Sequence, residues 1–146
     1  MQRWRLRSRI LTYSSWRTDF YSRRDILQRR LEQSGLLPIE VVNYFDYENM
    51  RTAEPSFCPL YELGTKCHAI DKLNCYLCAC PHFACSDEPL FKSTYSVCTI
   101  NSRFAGEFTY DDCVLCDCTN CKLPHSVSVA LKHYKDLNAA DNLSPL

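Results

Sequence analysis

Glycine is scarce in this chain, with three in 146 residues beside seven prolines. That rules out a low-complexity linker or a collagen-like repeat. No Gly-rich phosphate loop, H-E-x-x-H helix or G-x-S-x-G elbow is present, so none of the common phosphate, metalloprotease or hydrolase motifs applies. No run approaches the roughly 20 apolar residues of a membrane span. The opening stretch MQRWRLRSRILTYSSW is positively charged but lacks the apolar core, about 7–15 residues long, of a secretory signal. Acid is missing from the first eighteen residues, which are rich in arginine and serine. That is the composition of a mitochondrial presequence, so organelle targeting stands as the alternative to the expected compartment, a reducing cytoplasm.

What the chain does have is cysteine, eleven in all. Small secreted domains use such numbers as disulfides, but without a secretory signal, clustered thiols point to metal. The length suits one domain, with an appendage at most. The net charge is zero but unevenly spread. Residues 1–30 hold nine arginines against Asp19 and Asp25, which leaves +7, and the remaining residues carry −7. A basic segment is thus joined to an acidic, cysteine-rich body.

The expected organisation has three parts: a basic aromatic arm over 1–21, a helical segment over 22–52, and a cysteine-rich metal-binding domain with a C-terminal helix over 53–146. The arm carries Trp4, Tyr13, Trp16, Phe20 and Tyr21. Ser22 and Asp25 read as a capping-box variant opening a helix, with Ile26, Leu27 and Leu31 as its apolar stripe and Gly35 as its stop. Pro38 is suited to the first turn of a second helix, IEVVNYFDYENM, whose Ile39, Val42 and Phe45 share a face. Between Ala53 and Pro124 periodicity disappears and few aliphatic residues remain. Metal–thiolate bonds are then the expected source of folding free energy. Ser126 reads as the cap of a last helix, with Val127, Ala130, Leu131 and Tyr134 on one side, before a frayed tail, DNLSPL. The fold class expected is α plus irregular structure: a small metal-stabilised domain with helices at both ends and little regular sheet.

The cysteines run C58-x8-C67-H68-x6-C75-x2-C78-x-C80-P81-x3-C85-x12-C98-x14-C113-x2-C116-x-C118-x2-C121-x3-H125. A C-x2-C loop points two thiolates to one side while its amides turn toward the sulfurs, which suits tetrahedral zinc and iron–sulfur clusters alike. The candidate ligands are Cys58, Cys67, His68, Cys75, Cys78, Cys80, Cys85, Cys98, Cys113, Cys116, Cys118, Cys121 and His125. Cys98 stands alone and reads equally as a buried thiol. His82 and His133 read as surface or packing residues. In C-x-C the two sulfurs project to opposite sides of an extended backbone, so Cys80 is able to serve a different site from Cys78. The shared spacing of 75/78/80 and 113/116/118 suggests an internal repeat.

At FCPLYELGTKCH, DKLNCYLCACPHFAC and DCTNCKLPH the sequence resembles the cysteine-rich small domain family of bacteria and archaea. The resemblance covers roughly residues 44–134. It implies metal binding through Cys58, Cys67, His68, Cys75, Cys78, Cys80, Cys85, Cys118, Cys121 and His125. Cys113, Cys116 and the basic arm stand outside that pattern, and the family supplies no defined activity.

The expected function is a small iron–sulfur protein, most simply holding a [4Fe–4S] cluster, that transfers electrons or serves as accessory to a metalloenzyme. Its acidic body suits a basic protein partner. The alternative is a zinc-stapled module contacting protein or, through the arginines, single-stranded nucleic acid. A third reading is a thiol-based redox sensor. No catalytic residue is singled out, and the chain is not expected to be an enzyme by itself.

Overall fold

The computed structural model describes the backbone of residues 2–142 and the side chains of residues 5–139. Trp4 and the whole DNLSPL tail fall outside the described side chains. In chain order the elements are helices α1 (Gln2–Gln33), α2 (Pro38–Tyr44), α3 (Tyr47–Ala53) and α4 (Pro59–Leu63), then strands β1 (Phe83–Cys85), β2 (Ser96–Cys98), β3 (Gly106–Tyr110) and β4 (Cys113–Asp117). A 3-10 turn (Leu123–His125) and helix α5 (Val127–Asn142) complete it. The result is a mixture of helices and two small antiparallel sheets, a small irregular α+β fold. No described helix is long and apolar enough to cross a membrane.

The chain divides into two compact units. The helical unit comprises Arg23–Cys78 and the chain from Lys122 onward. The hairpin unit comprises the residues up to Ser22 together with Ala79–Cys121.

The basic arm is helix. α1 runs unbroken from Gln2 through Ser22, because nothing between them interrupts helical hydrogen bonding, and Ser22 therefore caps nothing. Leu27 and Leu31 are buried as expected, but Ile26, about 100° round the helix from Leu27, is 61% exposed. Gly35 closes α1 with φ +88. The Leu36 N–H donates to Leu31 O at 3.3 Å and the Gly35 N–H to Glu32 O at 2.9 Å, the paired bonds of a Schellman ending.

In the helical unit the second predicted helix starts at Pro38, as expected, but breaks at Phe45. Asp46 restarts the chain as α3 by accepting the Glu48 N–H at 3.1 Å. The break turns Val41, Val42 and Phe45 inward and leaves Ile39 40% exposed. Phe45 meets Tyr76 edge-on, with centroids 5.1 Å apart, and Phe57 at 6.0 Å, so aromatic rings supply the core where aliphatic residues are few. α5 begins after Ser126, whose carbonyl accepts the Ala130 N–H at 3.0 Å. Ala130 and Tyr134 are buried, Leu131 is half-buried, and Val127 is 39% exposed.

In the hairpin unit β1 pairs with β2 (Phe83 opposite Cys98), and β3 with β4 (Tyr110 opposite Cys113). Asp111 and Asp112 join β3 to β4, both at positive φ (48° and 64°), as a two-residue type I′ turn requires. Two bonds stitch β4 to the chain before β2: Tyr95 N–H to Val114 O (2.9 Å) and Val114 N–H to Ser93 O (2.8 Å). The core here is small, with Leu6, Ile10, Tyr95 and Cys113 buried together and Cys85, Tyr110 and Leu115 packed against them.

The proposed internal repeat does not take one structure twice. Cys75–Cys80 lies in turns, whereas Cys113 and Cys116 sit on strand β4.

Candidate metal centre

Three elements of the helical unit bring ligand atoms to one point. The loop after α4 carries Cys67 and His68, a turn holds Cys75 and Cys78 (Cys78 N–H to Cys75 O, 3.5 Å), and the 3-10 turn delivers His125. Cys67 Sγ, Cys78 Sγ and a ring nitrogen of His125 all lie within 4.8 Å of one another, the one such trio among the described residues. Cys67 Sγ is 3.7 Å from His125 Nε2. With a metal–sulfur bond of about 2.3 Å, the edge of a tetrahedral shell is about 3.8 Å. This pair therefore already stands at the separation of two ligands on one ion.

His125 is aimed from behind. Its Nδ1 lies 3.0 Å from the Asn74 carbonyl oxygen. A carbonyl only accepts, so Nδ1 carries a proton and Nε2 is the nitrogen turned toward the sulfurs, as metal-ligating histidines are commonly held. The Asn74 N–H returns a bond to the His125 carbonyl at 3.0 Å. Asn74 is itself fixed, since Nδ2 donates to Val42 O at 2.8 Å and Oδ1 accepts the Tyr76 N–H at 3.0 Å.

Protonation in the metal-free chain follows from the crowding. The Cys67 thiol is held down at about 3, chiefly by a hydrogen bond from the Cys78 thiol, with burial opposing and His125 and His68 assisting. Cys75 is also lowered, again chiefly by Cys78 against the cost of burial, with the Tyr61 hydroxyl adding to it. Cys78 is raised, because its proton serves both neighbouring sulfurs. Burial pulls His125 down, but its bond to Cys67 and the charge there outweigh that and raise it. Cys67 and Cys75 are thus both shifted toward the thiolate, and Cys75 adjoins the trio through Cys78. The Tyr61 hydroxyl is buried without a hydrogen-bond partner of good geometry. It lies beside Cys75, whose charge, after burial, raises it. Cys58 stands at the edge of the group. Its thiol is raised by burial and eased by the backbone amide of Leu60, with Cys75 and Cys67 near enough to act on it by charge. His68 places Nδ1 3.4 Å from Cys67 Sγ, and its ring centroid is 4.5 Å from that of His125.

The remaining predicted ligands belong to the hairpin unit and fall into two sets. On β4, alternation sends Cys113 and Leu115 to the core and Cys116 to the other face. The C113-x2-C116 spacing therefore does not act as a two-sulfur loop, since residues three apart on a strand oppose each other. Cys113 Sγ lies 3.5 Å from Asp111 O, and Cys85 packs against the same core. Cys116 Sγ stands 3.6 Å from Cys118 Sγ. Cys118-x2-Cys121 forms a genuine turn, with the Cys121 N–H donating to Cys118 O at 3.1 Å. Cys98, at the end of β2, accepts the Ser102 N–H on its sulfur at 3.4 Å, while Ser102 Oγ reaches Cys121 Sγ at 3.7 Å. The Cys80 thiol is raised by burial, eased by the His82 amide, and feels the charge of Cys118 and Cys121. No disulfide joins any of the eleven cysteines. His82 and His133 are half-buried.

Reading the sequence missed Asn74 and Ser102, whereas Tyr61, with Phe57, Tyr76 and Phe83, was expected to shield the metal. Asn74 had a signal, a lone amide directly before a two-thiol turn. Ser102 is legible only once the loops are folded. No family model, curated protein or solved structure matches the chain, so the resemblance to the cysteine-rich small domain rests on its motifs alone.

Proposed function

We propose that the chain is a metal-binding protein whose helical unit is stapled by one tetrahedral, zinc-class divalent ion held by Cys67, Cys75, Cys78 and His125. The observation that carries this is the convergence of Cys67, Cys78 and His125 within 4.8 Å. That spacing suits ligands that share one ion. In a cubane cluster each thiolate caps a different iron, and the sulfurs stand farther apart. Four protein donors close the shell, and a closed shell is structural, because a catalytic zinc keeps one position for water or substrate. The ion would supply folding free energy to loops that have little aliphatic core, and the module's role is to present its surface to a macromolecular partner.

The test is metal analysis with a visible spectrum on anaerobically purified protein. Zinc in a colourless sample, with one equivalent lost in His125→Ala, supports the reading. Iron and sulfide with broad absorption near ~400 nm would replace it by the iron–sulfur protein, and with it the electron-transfer role. One observation favours a second reading, a thiol redox sensor: Cys67 is exposed and its thiol is held far below its ordinary range. Rapid alkylation of Cys67 in the metal-loaded protein would select that reading.

A further inference from the structure

We propose that the hairpin unit carries a second, all-sulfur metal centre for a zinc-class divalent cation, formed by Cys98, Cys116, Cys118 and Cys121. Three observations converge on it. Cys116 and Cys118 already stand 3.6 Å apart, the edge of a tetrahedral thiolate shell. Ser102 ties the other two sulfurs together through its N–H on Cys98 at 3.4 Å and its Oγ near Cys121 at 3.7 Å. The Cys118–Cys121 turn supplies the two-sulfur loop that β4 denies to Cys113 and Cys116. The Ser102 amide on the Cys98 sulfur fixes the direction in which that sulfur's lone pairs point.

The architecture of this unit calls for such a staple. Its sheets have two strands each, three or five residues long, and an isolated two-stranded hairpin is marginal in water. Among the described residues its buried cluster gathers Leu6, Ile10, Tyr95 and Cys113, with Phe20 and Ala79 also buried in the unit, while Phe91, Ile100, Phe104 and Phe108 remain exposed. The donor set is thiolate only, softer than the centre that uses His125, and the two centres share no ligand. Cys80 adjoins the set and completes its surroundings without being one of the four.

The deciding experiment counts ions on the full chain by native mass spectrometry after loading with zinc. The expected result is two ions in the wild type, one in Cys98→Ser/Cys121→Ser, one in Cys67→Ser/His125→Ala, and two in Cys113→Ala. The proposal is overturned if Cys98→Ser/Cys121→Ser retains both ions, or if the wild type holds a single ion that Cys67→Ser/His125→Ala removes. Should the first double variant fail to fold, alkylation mapping on the unaltered chain decides. Zinc should protect Cys98, Cys116, Cys118 and Cys121 at least tenfold, with protection lost on chelation. Equal labelling rates with and without zinc at those four thiols overturn the centre, whatever is found at Cys67 and His125.

Discussion

Replacing Asn74 by alanine is expected to cost about 3 kcal/mol of stability, and the figure follows from counting its bonds. Asn74 is 2% exposed. Its main-chain bonds with His125 survive the change, so the loss is confined to two side-chain bonds. The Val42 carbonyl loses Nδ2 at 2.8 Å but keeps the Phe45 N–H at 3.1 Å. The cost there is one net hydrogen bond, about 1 kcal/mol. The Tyr76 N–H, in a residue with no exposure, loses Oδ1 and has no other partner among the described residues. An orphaned buried donor costs about 1–3 kcal/mol. Urea unfolding of metal-loaded wild type and Asn74→Ala, followed by circular dichroism, measures the sum. Metal affinity should fall as well, by about tenfold, since the loop that aims His125 is loosened. Asn74→Asp provides the control. It keeps an acceptor for Tyr76 but offers Val42 no donor and buries a carboxylate, so it should be worse than alanine at neutral pH and recover as acid protonates it. A loss below about 1 kcal/mol for alanine, or tolerance of aspartate at neutral pH, would refute Asn74 as the brace of the centre.

The pH response of the metal-free chain has a defined sign. Cys67 is held down at about 3 in the folded chain from an ordinary value of 9.0, so its contribution is complete above 9.0 and disappears as pH falls through the folded value. His125 is raised from 6.5, so its contribution is complete below 6.5 and lost as pH rises. The stability difference between wild type and Cys67→Ser in urea should therefore grow from pH 5 to pH 8, and an unchanged difference would count against the thiolate. Gly35 and Gly64 end helices at φ +88 and +66, so alanine at either should cost about 1–2 kcal/mol by urea titration. The added methyl at Gly64 meets only the flexible end of Arg51, at 3.2 Å, so the two costs should be similar. A much larger loss at Gly64 would show that Arg51 is not free to give way.

Local signals that act within a few residues were legible in the sequence: the Gly35 stop, the Pro38 start, the position of Ser126, and the two-thiol turns at 75/78 and 118/121. Each depends on backbone geometry that a short window contains. Faces were less legible. Ile26, Ile39 and Val127 were placed inside by periodicity but are exposed: Ile39 because the helix breaks at Phe45 and turns Val41, Val42 and Phe45 inward, Ile26 because it lies about 100° round α1 from Leu27, and Val127 at the first residue of α5. The hairpin strands went unread because their turn is Asp111-Asp112, which lacks the glycine that marks most type I′ turns. The grouping of thiols was hidden for a related reason. Spacing alone treats C113-x2-C116 and C118-x2-C121 alike, and only the strand shows that the first pair points to opposite faces. Cys78 and Cys80 fall in different units, as alternation across C-x-C allowed.

The arginines of α1 make the case for reading charge through structure. A run of nine cations suggests an electrostatic footprint for nucleic acid, yet within each unit many are already engaged. Arg17 donates to Phe83 O at 2.7 Å and Arg24 to Tyr76 O at 3.4 Å, and Arg23 bonds Phe57 O. Arg30 pairs with Glu54 and Arg7 with Asp87, while Arg9 covers the Tyr110 ring. Three of these partners are main-chain carbonyls of loops or strand ends. Irregular chain leaves such oxygens without ladder donors, and burying them unsatisfied is costly. A guanidinium on a rigid helix meets that need, because its several N–H groups reach past an uneven surface. Part of the basic charge of α1 is thus engaged inside each unit, on carbonyls that no ladder donor serves.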